Sequence, residues 1–422
     1  MKNVVIVSGV RTPIGRYGGI LRDVPVYKFT SLVLNEAVKK AKVEPALVDD
    51  VIMGQSYQNG ECANGARMAL LEAGWPHEVP GVTMDRRCCS GLDAIFFGVM
   101  KIQTDNADII VAGGMDSMSQ AELYLPGDIK WGLGGKIDEK WGFMPKGHGS
   151  LSTWGIPLYD RIQRARVMSQ PIERFGELNS MMIWAETAAK EEKISRQEAD
   201  EWAVRSHQKA TTAIDSGRFR EEIVPIPIPQ RKGEPTIFDT DETPRRDTTL
   251  EKLATLPPVY PDGVCTAGNS STENDGAAAV VLMSEAKAKE LGVEPMAYFR
   301  SCAIAGSDPT LTYPAVPASV DKALKKSVIT IDQVDLIEIQ EAFAVQALAD
   351  ARLMGIEQED FDKKINLNGS GISLGHPIAA TGAMRLVTLL HEMKRRGSRY
   401  GLETICGGGG LGIAAILESG SL

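Results

Sequence analysis

The same order of signals occurs twice along this chain, and that duplication limits the folds open to it more than any other feature. In the first half a helical stretch ends at Val48-Asp49-Asp50 and is followed by the strand Val51-Ile52-Met53-Gly54. A second helix spans about Cys89 to Thr104, with Leu92, Ile95, Phe96, Val99 and Met100 at helical spacing. The strand Ile109-Ile110-Val111-Ala112 comes next and is read as breaking at Gly113-Gly114. The second half repeats this order. Ile331 to Asp335 leads into the strand Leu336-Ile337-Glu338-Ile339, a helix covers about Pro377 to Lys394, and the strand Glu403-Thr404-Ile405 precedes the glycine run Gly407–Gly410. Two copies of one α/β unit packed back to back account for this more economically than two unrelated α/β domains.

Between the copies lies a different stretch, about Ala121 to Asp247. It carries Trp131, Trp141, Trp154, Trp184 and Trp202, and the helix Arg196 to Asp215. It is read as an insertion lying over the site. Its segment Ile223 to Pro229 holds three prolines, which remove ladder donors and exclude a central strand. The expected division is a first half of residues 1–121 and 248–282, an insertion of 122–247, and a second half of 283–422.

At 422 residues the chain exceeds one ordinary core. A net charge of −9 without a basic block argues against nucleic acid as a partner. No apolar run approaches a membrane span, and no leader precedes the strand-like Val4-Val5-Ile6-Val7, so a cytoplasmic protein is expected. The six cysteines (Cys62, Cys88, Cys89, Cys265, Cys302, Cys406) show no CxxC spacing. Reduced thiols are expected, with neither a disulfide framework nor a metal site.

Four local features carry chemistry. In Asp85-Arg86-Arg87-Cys88-Cys89-Ser90-Gly91-Leu92 a thiol sits where a strand turns into a helix. The unpaired amides of a helix start are expected to favour a thiolate there, although by itself the segment reads more readily as two small buried residues. Gly375-His376-Pro377 occupies the equivalent turn of the second copy, which gives this histidine more weight than an isolated one. Cys406-Gly407-Gly408-Gly409-Gly410 places a thiol and free backbone amides at a strand end. Gln340-Glu341-Ala342-Phe343-Ala344 offers a side-chain amide at another. A nucleophile, a base, a second thiol and amide donors meeting in one pocket suit acyl transfer followed by proton abstraction.

The chain resembles the thiolase family over nearly its full length. The likeness includes Val7 to Gly15, Gly113-Gly114-Met115-Asp116-Ser117-Met118-Ser119, Asp241 to Leu250, Thr266 to Ser271 and the catalytic motifs above. The resemblance implies a duplicated α/β fold, two βαβαβ-containing halves in an α/β/α/β/α layering with an inserted loop domain. It implies a reaction that makes or cleaves the carbon–carbon bond of a β-ketoacyl-CoA. By resemblance Cys88 is the acylated nucleophile, His376 activates it, and Cys406 moves the α-proton. The amides of Cys88 and Gly408 form an oxyanion hole, and Ser271 contacts the pantetheine of CoA. Cys89, where the family has a small residue, receives no role. CoA is a substrate, no cofactor is held permanently, and a homodimer or homotetramer is expected, with any partner subunit left open.

Two departures stand out. Gln340 stands where the family has Asn or His, and Ser180-Met181-Met182 stands where acetoacetyl-type members show His-Met-Gly. With the tryptophans, the second departure leads to the expectation of an acyl group larger than acetoacetyl. An acetoacetyl-CoA thiolase is the alternative, and a CoA-binding protein without turnover is a further one. A decarboxylating ketoacyl synthase is disfavoured, since that branch pairs its nucleophile with two histidines or His and Asn.

Overall fold

The strand β1 (Val4–Arg11) is buried along all of its eight residues, as a run of Val and Ile in the middle of a sheet should be. The computed structural model describes residues 2–127, 150–153, 156–176, 181–311 and 313–420. After β1 come α1 (Val26–Ala41), β2 (Asp50–Gly54), α2 (Gly65–Glu72), β3 (Gly81–Met84), α3 (Ser90–Gln103) and β4 (Ile109–Ser117). The insertion contributes α4 (Arg161–Val167), α5 (Met182–Glu191) and α6 (Arg196–Asp215), and the first half closes with β5 (Asn274–Ser284). The second half runs β6 (Ala297–Gly306), α7 (Ala315–Ser327), β7 (Leu336–Ile339), α8 (Ala344–Leu353), α9 (Thr381–Arg396), β8 (Tyr400–Gly407) and β9 (Leu411–Ser419).

Pairing makes the duplication explicit. In the first half β2 and β4 are parallel, β4 and β5 antiparallel, and β5 and β1 antiparallel. In the second, β7 and β8 are parallel, β8 and β9 antiparallel, and β9 and β6 antiparallel. The halves join edge to edge through β1 and β6, where Val5 faces Tyr298 and Ile6 faces Ala297. Helices α1 and α2 cover one outer face, α7 and α8 the other, and α3 and α9 lie between the halves. The position of α9 follows from its sequence. Residues 381–393 are all buried, because both flanks of this helix meet protein.

Several boundaries differ from the sequence reading. The strand β4 does not break at Gly113-Gly114 but continues to Ser117. Those glycines permit close approach instead of a turn: a Cβ on Gly113 would stand 1.9 Å from the Ala278 carbonyl oxygen, and one on Gly114 would stand 2.2 Å from that of Ala379. The first helix ends at Ala41, and Pro45–Leu47 forms a separate 3-10 turn before β2. After Pro377 the chain makes a 3-10 turn, Ile378–Ala380, before α9 begins. The proline-rich segment contributes only Ile226–Ile228, paired with Thr236–Phe238 apart from the main sheet.

Candidate active site

The nucleophile loop is held from several sides. After β3, the Asp85 carboxylate accepts hydrogen bonds from the Arg87 amide (2.7 Å) and the Ser56 hydroxyl (2.8 Å). The Ser90 hydroxyl oxygen accepts from the Arg86 amide at 2.7 Å. These bonds hold Arg87 in the left-handed region at φ 52°, a conformation a non-glycine residue keeps only when its surroundings impose it. Cys88 follows at 8% exposure, while Cys89 caps α3, is fully buried and directs its thiol at the Ile405 carbonyl. The structure therefore separates the two adjacent thiols, with Cys88 in the cavity wall and Cys89 behind it.

The base arrives from the other half. Gly375 has φ 104°, and a Cβ there would strike the Asn274 side chain at 2.5 Å, so this turn requires glycine. Asn274 Oδ1 accepts the His376 amide at 2.9 Å. The imidazole then lies with Nδ1 2.7 Å from Thr381 Oγ1 and Nε2 3.2 Å from Cys88 Sγ. With its proton on Nδ1, donated to Thr381, the ring presents a free Nε2 lone pair to the thiol.

Cys406 lies near the end of β8 and lines the same cavity, as do Gly407, Gly408 and Ser271. The turn after β8 uses φ 88° at Gly409 and 77° at Gly410. It leaves the amide of Gly408 directed at the Cys88 sulfur, beside the amide of Cys88 itself. The cavity has a volume of about 510 Å³, and Met118, Met181, Met182, Trp184, Phe343 and Ile378 form its apolar wall.

Burial governs the electrostatics. The expectation of a lowered thiol pKa at a helix start does not hold. Burial pushes Cys88 up to about 11, against the opposing pull of the Gly408 and Cys88 amides and of Arg87. Burial also lowers His376 to about 3, helped by Arg385 and Arg166. Cys406 is raised well above the ordinary thiol value, again by burial first and then by the neighbouring Cys88 and Asp350. The resting site is a neutral thiol, a neutral imidazole and a second neutral thiol. A nucleophile is made there only as the proton moves.

Cys88, His376, Cys406, Gly408 and Ser271 thus converge, but Gln340 does not. It is fully buried, lies against Gly371 outside the cavity lining, and neither of its amide atoms has a partner among the described residues. Its neighbours Ala342 and Phe343 reach the cavity instead. Of the tryptophans, Trp184 is in the wall at 4% exposure. Trp202 donates its indole N–H to Glu341, away from the cavity. Trp131, Trp141, Trp154 and Ser180 lie outside the described residues.

Sequence reasoning did not single out Thr381, Asn274 or Glu341. The Glu341 carboxylate accepts from Trp202 Nε1, Ser206 Oγ, Asn366 Nδ2 and the Ile372 amide, which ties α6 to the segment leading to His376. Nothing in the sequence distinguishes these polar side chains from solvated ones. Their partners are as far as 259 residues away.

Comparison with known proteins agrees with this geometry. Residues 4–286 match the family model for the thiolase N-terminal domain, and residues 293–419 match that for the thiolase C-terminal domain. An acetyl-CoA acetyltransferase of Pseudomonas aeruginosa is 42% identical over 99% of both chains. One of Cupriavidus necator is 43% identical, over 99% of this chain and 100% of the relative. The crystal structure of the Bacillus anthracis acetyl-CoA acetyltransferase superposes with a TM-score of 0.89 at 41% identity, covering 99% of both chains.

Proposed function

This chain belongs to the thiolase family and is an acyltransferase, and from that premise we propose that it cleaves or forms a β-ketoacyl-CoA through an acyl-Cys88 intermediate. The observation that carries the mechanism is the 3.2 Å contact between His376 Nε2 and Cys88 Sγ in a cavity that Cys406 also lines. In the cleavage direction Cys88 attacks the keto carbonyl while His376 Nε2 accepts its proton. The amides of Cys88 and Gly408 stabilise the oxyanion. The bond between the α-carbon and the former keto carbon breaks, and the α-carbon leaves as acetyl-CoA after taking a proton from Cys406. The thiol of a second CoA then attacks the acyl-enzyme as Cys406 removes its proton, which releases the shortened acyl-CoA, and Cys88 takes its proton back from His376. Gln340, outside the cavity lining, takes no direct part in these steps.

CoA fits the cavity's surroundings. A second opening of about 390 Å³ shares Arg16 and Thr272 with the first and adds Arg245 and Arg246 beside Glu242 and Asp247, with Arg246 paired to Asp215; its arginines suit the phosphate-bearing end of that molecule. For the acyl group, acetoacetyl-CoA is the preferred reading. The relatives above are named for acetyl transfer, and the large side chains of Trp184, Met181 and Met182 line the cavity. The expectation of a larger group rested on Trp184 together with Trp131, Trp141 and Trp154, and on the Ser180-Met181-Met182 departure. Assaying thiolysis of β-ketoacyl-CoAs of increasing length and branching tests this. A kcat/KM that is highest for acetoacetyl-CoA is expected, and a maximum at a longer or aromatic chain restores the other reading. Absence of turnover with every compound leaves only CoA binding.

A homo-oligomer is proposed as well. β3 ends the sheet with one edge unpaired among the described residues, beside the segment Gln58 to Arg67, which resembles a thiolase region near the subunit interface. A solution mass of 45.6 kDa, that of one chain, contradicts it.

A further inference from the structure

We propose that Asp116 is a positioning residue whose buried carboxylate clamps the nucleophile loop of the first half to the base loop of the second. The proposal rests on Cys88 and His376 acting as the reactive pair. Asp116 stands in β4 and has no solvent exposure. Its Oδ1 accepts the Tyr57 amide at 3.0 Å; its Oδ2 accepts the Ser56 amide at 3.4 Å and the Ala379 amide at 2.8 Å. On one side the link continues through the Ser56 hydroxyl to Asp85 and from Asp85 to the Arg87 amide, the residue before the nucleophile. On the other side Ala379 lies three residues beyond His376.

The Ala379 peptide is also held at its other end. Its carbonyl oxygen fits against Gly91 and Gly114, where added Cβ atoms would approach to 2.5 Å and 2.2 Å. The halves therefore meet backbone to backbone at this point, and among the described residues Asp116 is the one side chain bridging Ser56-Tyr57 to Ala379. No cation pairs with it among the described residues, and a buried unpaired carboxylate is costly. Burial pushes it up to about 7 even though three amides and their hydrogen bonds pull it down. A site that keeps this arrangement next to its nucleophile uses the two-sided acceptor geometry.

Asparagine has nearly the same volume and cannot reproduce that geometry. Its single carbonyl oxygen serves either Tyr57 or the Ser56/Ala379 side, and its NH2 group then faces an N–H on the other. The charge matters too. Arg87, Tyr57, Cys89, Cys406, His376 and Asp116 surround Cys88, Asp85 faces Asp116, and the Asp116 charge opposes thiolate formation.

The test compares Asp116→Asn and Asp116→Glu with wild type in acetoacetyl-CoA thiolysis, and reads iodoacetamide alkylation of Cys88 at pH 8 without substrate. A core variant of α9, Val387→Ala, serves as the control for lost stability. Asp116→Asn is expected to lower kcat by at least ~30-fold with KM within ~3-fold, the signature of lost transition-state geometry. Val387→Ala is expected to keep kcat within ~3-fold at a similar or larger loss of Tm. Alkylation of Cys88 is expected to be at least ~2-fold faster in Asp116→Asn, because an opposing charge is gone, whereas Asp116→Glu keeps the wild-type rate with a reduced kcat. If Asp116→Asn does not fold, the Asp116→Glu arm decides through its kcat. A kcat within ~3-fold of wild type, or alkylation no faster in Asp116→Asn, overturns the proposal. A wild type that alkylates normally but turns over no β-ketoacyl-CoA rejects the thiolase reading and leaves the alkylation arm to judge Asp116.

Discussion

His376 Nε2 stands 3.2 Å from Cys88 Sγ although 288 residues separate them, and both groups are uncharged at rest. Burial disfavours the thiolate and the imidazolium alike, so the pair holds no charge separation at rest. In the mechanism proposed above, the substrate carbonyl, polarised by two amides, draws the proton across.

The resting state of this pair has a measurable consequence. With Cys88 near 11, its thiolate fraction should rise about tenfold per pH unit through the neutral and mildly alkaline range. Alkylation of the free enzyme by iodoacetamide should rise from pH 7 to pH 10 without levelling. A plateau near neutrality would show a preformed thiolate–imidazolium pair.

Loss of the nucleophile should be close to complete. Cys88→Ala is expected to reduce turnover by ~10³-fold or more, the scale for removing a covalent nucleophile. Intact-protein mass after brief exposure to acyl-CoA should place the acyl group on Cys88. An acyl group recovered on Cys89 instead refutes the assignment, and the burial of that thiol behind the cavity wall argues against it.

Cys406 should separate the two half-reactions. Cys406→Ser is expected to accept an acyl group from acyl-CoA while losing condensation and exchange of the α-proton. The serine hydroxyl fits the site but is a far weaker acid than a thiol. Exchange measured at the wild-type rate would assign the proton transfer to another group.

Stability should fall as pH rises, because of two glutamates in one strand register. Glu338 and Glu403 face each other on β7 and β8, both buried, with Arg385 as the nearby cation. Burial raises both well above the ordinary value of 4.5; the Glu338 charge raises Glu403 further, and Glu341, Glu222 and Glu392 raise Glu338 further. A folded-state pKa above the unfolded one means the unfolded chain gives up these protons first. The associated stability is thus whole below about 4.5 and is lost as pH climbs from there toward the folded-state values. Glu403→Gln should raise Tm more at pH 8 than at pH 5, as thermal melts at the two values would show. An equal change at both would remove this pair as the cause.

Much of the arrangement was written locally. The duplicated order of strands and helices, the helix Arg196–Asp215 and the motifs bearing Cys88, His376 and Cys406 depend on periodicity and turn chemistry, which act over a few residues. What the sequence alone determined is therefore the repeated unit and the inventory of reactive groups. The tertiary structure decided which of them meet. It drew Cys88 and Cys406 into one cavity, turned Cys89 to the far side of the wall, and left Gln340 sealed beneath Gly371. It also reversed the expected acidity of Cys88: the partial charge of a helix start is a local property, while desolvation is set by everything packed around the thiol, and here desolvation is the larger. The glycines at 113 and 114 read locally as a break, yet the approach of β5 and of Ala379 keeps them in an unbroken strand, since only the folded chain shows what a side chain there would strike.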